Sequence, residues 1–148
     1  MRRFIILQSH RISLASILLM LAPGISPVNA DVVPVVSSKS SITALSKAQV
    51  IDIFLGRRTR FPDGSLAVPI DQTEGSVARE QFYSRIADMS PAQVKAFWSK
   101  IIFTGRGQPP VAVATSQDAK KALAANPNAI SYIDESLVDS SVRVVLAR

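Results

Sequence analysis

The sequence predicts an α/β domain, a layered and mainly parallel sheet with helices on both faces. Short β-branched runs alternate with amphipathic helical segments along the chain, the pattern of strands joined by helices. The first run, residues 31–36 (Asp-Val-Val-Pro-Val-Val), is continuously apolar, as suits a strand covered on both faces. Ser46, Ser76, Ser90 and Ser116 each stand where a helix would need an N-cap oxygen.

The elements follow in order. Pro34 places the first strand at a sheet edge or near a strand end. Residues 37–41 are a polar loop, and Ser46-Lys47-Ala48-Gln49 is a capping box that opens a helix through about Leu55, stopped by Gly56. Phe61-Pro62-Asp63-Gly64 is a turn, with proline presetting its own φ and glycine accepting a positive one. Leu66 to Ile70 forms a second strand and Asp71 to Gly75 a loop. From Ser76 to Asp88, Ala78, Phe82 and Ile86 recur on one helical face. Ser90-Pro91-Ala92-Gln93 starts another helix directly afterwards. Its stripe of Val94, Phe97, Trp98, Ile101 and Ile102 reads as core, with a stacking platform for a ligand as the alternative use of Phe97 and Trp98. Gly105 stops it. Val111 to Ala114 is a strand, Ser116 to Ala125 a helix capped by Ser116, and Ala129 to Ile133 and Val142 to Leu146 complete the sheet.

Residues 1–30 read as a secretory signal peptide: Arg2, Arg3 and Arg11, an apolar run from Ile12 to Ala22, breakers at Pro23, Gly24 and Pro27, and a cleavage site after Ala30. The run is well short of the roughly 20 residues that span a bilayer, so no membrane span is expected after cleavage. One domain, residues 31–148, remains. It carries 14 basic and 11 acidic residues, a net charge of +3 against +6 for the whole chain, too little and too scattered to mark a nucleic-acid binder. The chain has no cysteine, and its one histidine, His10, lies in the signal segment. Imidazole or thiol catalysis and ordinary transition-metal sites are thereby excluded from the mature domain.

In such sheets ligands gather at the carboxyl ends of strands, where helix N-termini point. The loop leaving the second strand, Pro69-Ile70-Asp71-Gln72-Thr73-Glu74-Gly75-Ser76-Val77-Ala78-Arg79, is therefore the candidate site. Unpaired N–H groups and the helix dipole favour an anion there, and Arg79 adds a charge-assisted donor. The candidate ligand-binding residues are Gln72, Gly75, Ser76, Val77 and Arg79, with Ser38 from the loop after the first strand lining the same crevice. The structural alternative is that Ser76 caps its own helix and Asp71 or Glu74 satisfies nearby N–H groups. Arg57, Arg58 and Arg60 form a basic cluster, read as solvated surface or as a partner patch. Arg106 complements a helix C-terminus.

Several strings together resemble a known family: Leu45 to Gly56 (LSKAQVIDIFLG), Phe61-Pro62-Asp63-Gly64, Pro69-Ile70-Asp71, Arg79 to Tyr83, Phe97-Trp98, Phe103-Thr104-Gly105 and Asn126 to Tyr132. They are similar to the short phosphate ABC transporter substrate-binding-like proteins, which resemble one lobe of a type 2 periplasmic-binding protein. The resemblance covers nearly all of residues 31–148. It implies a secreted domain whose anion contacts come from a Ser/Gly/Thr-rich helix start. Here the matching stretch is Glu74-Gly75-Ser76-Val77, and the Ser-Gly-Thr pattern itself is absent. Two-lobed binders close over their ligand, whereas this length supplies one lobe.

The expected function is a periplasmic, non-catalytic binding domain that takes phosphate or a similar small oxyanion weakly, alone or with a membrane transporter or a second protein lobe. The alternative is a ligand-free interaction module of an envelope complex, marked by an exposed apolar patch that a second copy, in a homodimer, or a partner would cover. A hydrolase built on Ser76 with Arg79 and Glu74 lacks a credible base. No cofactor is expected.

Overall fold

The computed structural model describes residues 31–147; the signal-peptide expectation falls outside them. Five strands, β1 (Val32–Ser37), β2 (Val68–Gln72), β3 (Val111–Val113), β4 (Ala129–Asp134) and β5 (Val142–Val144), form one sheet in the order β3-β2-β4-β1-β5. Four helices cover it: α1 (Lys47–Phe54), α2 (Val77–Ile86), α3 (Pro91–Phe103) and α4 (Ser116–Ala125). The β2–β3 and β2–β4 ladders are parallel, whereas β1 runs antiparallel to both β4 and β5. The sheet is thus mixed, with four strands pointing one way and β1 reversed between two of them.

The alternation of side chains across the strands builds two cores. Val32 and Val36 of β1 and Ile130 and Tyr132 of β4 face α1, α2 and α3, burying Val50, Ile53, Phe54, Phe82, Tyr83 and Trp98. Val35, Ala129 and Ile133 face the other way, onto Ala119 and Leu123 of α4. This is why the run 31–36 carries no polar alternation: both of its faces are covered. Aromatic packing fixes the larger core, with Phe82 stacked on Tyr132 (centroids 4.1 Å apart, planes 9° off parallel) and Phe54 tilted against Phe82 at 4.7 Å.

The four expected helices form, three of them with the expected caps. Ser46 and Gln49 complete a capping box on α1, Ser90 and Gln93 another on α3, and the Ser76 hydroxyl accepts from Arg79 N on α2. Four expectations need correction. Pro34 is not on an edge; its carbonyl accepts from Val145 N, so the missing N–H falls just past the last residue of β5, where no ladder bond is lost. Strand β2 begins and ends two residues later than predicted, and Leu66 is half-exposed, because pairing with β3 and β4 sets the strand's span. The cap of α4 is Thr115, whose hydroxyl accepts from Asp118 N, and Ser116 is the first helical residue. Finally, the α3 stripe is only partly core: Val94 and Trp98 are buried, Phe97 and Ile101 lie at the margin, and Ile102 is 48% exposed. A helix that packs chiefly on one neighbour, here α2, buries a narrower stripe than a helix held from both sides.

Candidate functional site

Strand β2 ends in Asp71-Gln72, polar residues that would ordinarily leave a sheet, yet Asp71 is 3% and Gln72 2% exposed. Both stay inside because the Asp71 carboxylate and the Gln72 amide nitrogen are met by hydrogen-bond partners. The Asp71 carboxylate accepts four bonds. Oδ1 takes Gln72 N–H at 2.8 Å and the Tyr132 hydroxyl, while Oδ2 takes the Tyr83 hydroxyl at 2.9 Å and Arg79 Nε at 3.3 Å. The Arg79 guanidinium also lies over the Tyr83 ring, 5.1 Å from its centroid. Gln72 Nε2 donates to Ser116 Oγ at 3.2 Å and to the Tyr132 carbonyl at 3.1 Å. Ser116 Oγ in turn donates to Asp134 Oδ2 at 3.2 Å. A buried carboxylate is tolerable only when paired and fully hydrogen-bonded, and this one ties β2, β4 and α2 together.

Electrostatics follow from that placement. The Tyr83 and Tyr132 hydroxyls are held protonated far above the usual tyrosine range, first by burial and then by the neighbouring Asp71 carboxylate. Neither phenol can serve as a base at neutral pH.

Around this network two helices begin at one edge of the sheet. Helix α2 starts four residues beyond β2 and lies on one face; α4 starts two residues beyond β3 and lies on the other. Thr73 N donates to Val113 O at 3.0 Å, and the Gln72–Ser116 bond links the two helix starts through the strand end. Gly75 takes φ +85° with open space around it, so the loop turns tightly into α2 at a position where a side chain would be strained. Glu74 and Lys95 pair at the surface, 3.4 Å apart.

Of the six residues predicted to bind ligand, the structure gathers five and separates one. Gly75, Ser76 and Val77 lie at the α2 start, with Val77 68% exposed. Arg79 is there too, but its Nε is engaged by Asp71, and Gln72 is buried with its amide committed to Ser116 and Tyr132. Ser38 lies at the opposite edge. It follows β1, which runs against β2, so it sits beside Ser141, whose carbonyl accepts from Ser38 N at 2.9 Å, and near the amino end of β4. The single crevice expected from both loops fails for this reason: the reversed strand carries its loop to the far end. Sequence reasoning missed the roles of Tyr83, Tyr132 and Ser116. The signal for them is weak, since each meets Asp71 or Gln72 only in the fold. Among the described residues no group of three or more histidine, cysteine or acidic side chains could hold a metal ion, and no helix is long and apolar enough to cross a membrane.

No protein-family model matches the chain, and no curated protein matches it significantly. Solved structures do resemble it. A protein described as a phosphate ABC transporter substrate-binding protein with bound phosphate, from Clostridium perfringens, is 21% identical with a TM-score of 0.60 over 78% of this chain and 44% of that one. An ABC-type phosphate transport receptor from Vibrio cholerae gives 18%, 0.61, 78% and 45%. PstS from Borrelia burgdorferi gives 13%, 0.54, 78% and 46%. The chain spans less than half the length of these structures. Its fold is therefore similar to that of the phosphate ABC transporter substrate-binding proteins, in a length that fits a single lobe.

Proposed function

We propose that the protein is an exported, non-catalytic binding domain of the solute-binding type, residues 31–148, which engages phosphate or a similar small oxyanion weakly at the start of α2. One observation supports this most: two helix N-termini, from opposite faces of the sheet, open at the same strand edge and are joined there through Gln72 and Ser116. Each helix start offers backbone N–H groups and a positive dipole end at that edge. The structures it resembles are described as phosphate binders or phosphate transport receptors, and they add to the same reading. Gly75, Ser76 and Val77 would supply the contacts, with Arg79 as a reserve charge held by Asp71. A membrane transporter or a second lobe is the fitting partner for an open half-site, and export rests on the signal-like residues 1–30.

The test is thermal melting in phosphate, sulfate and chloride at matched ionic strength. Phosphate or sulfate should raise the melting temperature above chloride, and equal values in all three would remove the anion site. Ser76→Asp sharpens it. Aspartate keeps the N-cap but places a negative charge where the anion would sit, so the shift should vanish while the fold persists.

The second reading, a ligand-free interaction module, is favoured by one specific feature. The only arginine at the α2 start is paired with Asp71, and the exposed residue beside it, Val77, is apolar. Loss of the anion effect together with a dimer on size-exclusion would favour this reading.

A further inference from the structure

At the end of the molecule away from the α2 start, the C-termini of α1 and α3 enclose a cleft of about 480 Å³. Its apolar lining comes from Leu55, Phe97, Trp98 and Ile101, and its polar lining from Arg57, Thr59, Arg106 and Gln108. The walls are built rather than incidental. Gly56 takes φ +68°, and a Cβ there would stand 3.3 Å from Trp98 Cη2, so the chain closes directly on the indole. Phe97 meets Trp98 edge-on at 5.1 Å, and the Arg57 guanidinium lies over Phe97, 5.8 Å from the ring centroid. The volume is that of a small-molecule site.

We propose that this cleft binds an organic anion with an apolar body, a medium-chain or aromatic carboxylate. Charge complementarity selects the head group. Arg57 shares one partly exposed carboxylate, Asp52, at 3.7 Å, and Arg106 has no ion pair among the described residues. The two helix C-termini offset part of the positive charge, but the two lining guanidinium groups, Arg57 and Arg106, against one carboxylate leave a net positive rim. Apolar lining selects the body. Inorganic phosphate would leave the partly exposed Phe97 ring and the rest of the apolar lining uncovered, and a neutral alkyl chain would leave the guanidinium groups unmatched. The site is separate from the α2 start, so its fate does not decide the proposal made there.

Trp98 is the only tryptophan in the chain and it lines the cleft, so its emission reports on this cleft. The full chain is titrated with octanoate, octan-1-ol and inorganic phosphate. Octanoate should change the emission saturably, at least about fivefold more tightly than octanol, and phosphate should not reproduce the change. Arg106→Gln and Arg57→Gln should each weaken octanoate about fivefold and leave octanol unaltered. Both side chains are exposed, so both variants should fold. An unsaturable response, equal affinity for octanoate and octanol, the same signal from phosphate, or indifference to both arginine variants would each overturn the proposal.

Discussion

At the scale of single residues, Asp71 decides most of what the site can do. Its carboxylate is surrounded by four donors, and Asp71→Asn would turn an amide N–H toward some of them while removing the charge that holds Arg79. Breaking a buried pair by removing one partner costs about 3 kcal/mol or more. We expect a loss of that size in urea unfolding of Asp71→Asn, and about 1–3 kcal/mol for Tyr132→Phe, which leaves one lone pair of Oδ1 unmet. The tyrosines give a separate pH prediction. Their folded values lie above the usual one near 10, so below pH 10 both states bind the proton and their contribution is fully present. Above pH 10 the unfolded chain releases protons that the folded one keeps, so stability falls, by about 3 kcal/mol per pH unit for the pair. Tyr83 and Tyr132 are the only tyrosines. Tyrosinate absorbance should therefore stay absent through the ordinary range and appear in one step with alkaline unfolding. A gradual rise near pH 10 in the folded protein would refute the buried network.

At the scale of elements, the cap positions were the most legible features. Ser46, Ser76 and Ser90 cap as the sequence indicates, because a serine three residues before a backbone donor is a local arrangement that needs no tertiary information. Ser46→Ala and Ser90→Ala should each lower stability by about 1 kcal/mol in thermal or urea unfolding. Ser76→Ala should cost the same, whereas Ser76→Asp should cost little. What could not be read locally was set by pairing. The reversal of β1, the two-residue shift of β2 and the placement of Asp71-Gln72 inside a strand all depend on which neighbours each strand meets. Asp-Gln after Pro-Ile looks like the start of a loop until Tyr132, Tyr83 and Ser116 arrive from elsewhere to satisfy it. For the same reason the candidate site was half legible. The helix start at Gly75-Ser76 was visible, but the capture of Arg79 by Asp71 and the removal of Ser38 to the far edge were not.

At the scale of the whole molecule, the decisive quantity is how strongly one open lobe can hold an anion. A helix N-terminus offers about 0.3–2 kcal/mol to an anion, and each charge-assisted hydrogen bond about 1.5–3 kcal/mol. Association removes at least ~4 kcal/mol of rigid-body freedom. With Arg79 contributing, the balance falls near 1 mM, about −4 kcal/mol. With Arg79 engaged by Asp71, one charged bond is lost, and the affinity drops by roughly 10–100-fold, to tens of millimolar. Phosphate at 50 mM should then stabilise the native chain by less than about 1 kcal/mol, a shift of only a few degrees. Asp71→Asn reverses this balance. The variant starts from a lower melting temperature, yet its freed Arg79 lies one turn from Ser76, so the same phosphate should now stabilise it by about 2 kcal/mol. The phosphate-dependent shift of the variant should therefore exceed that of the unaltered protein by at least about twofold. An equal or smaller shift in the variant would mean that Arg79 serves the fold alone and that any anion at the α2 start is held by backbone N–H groups.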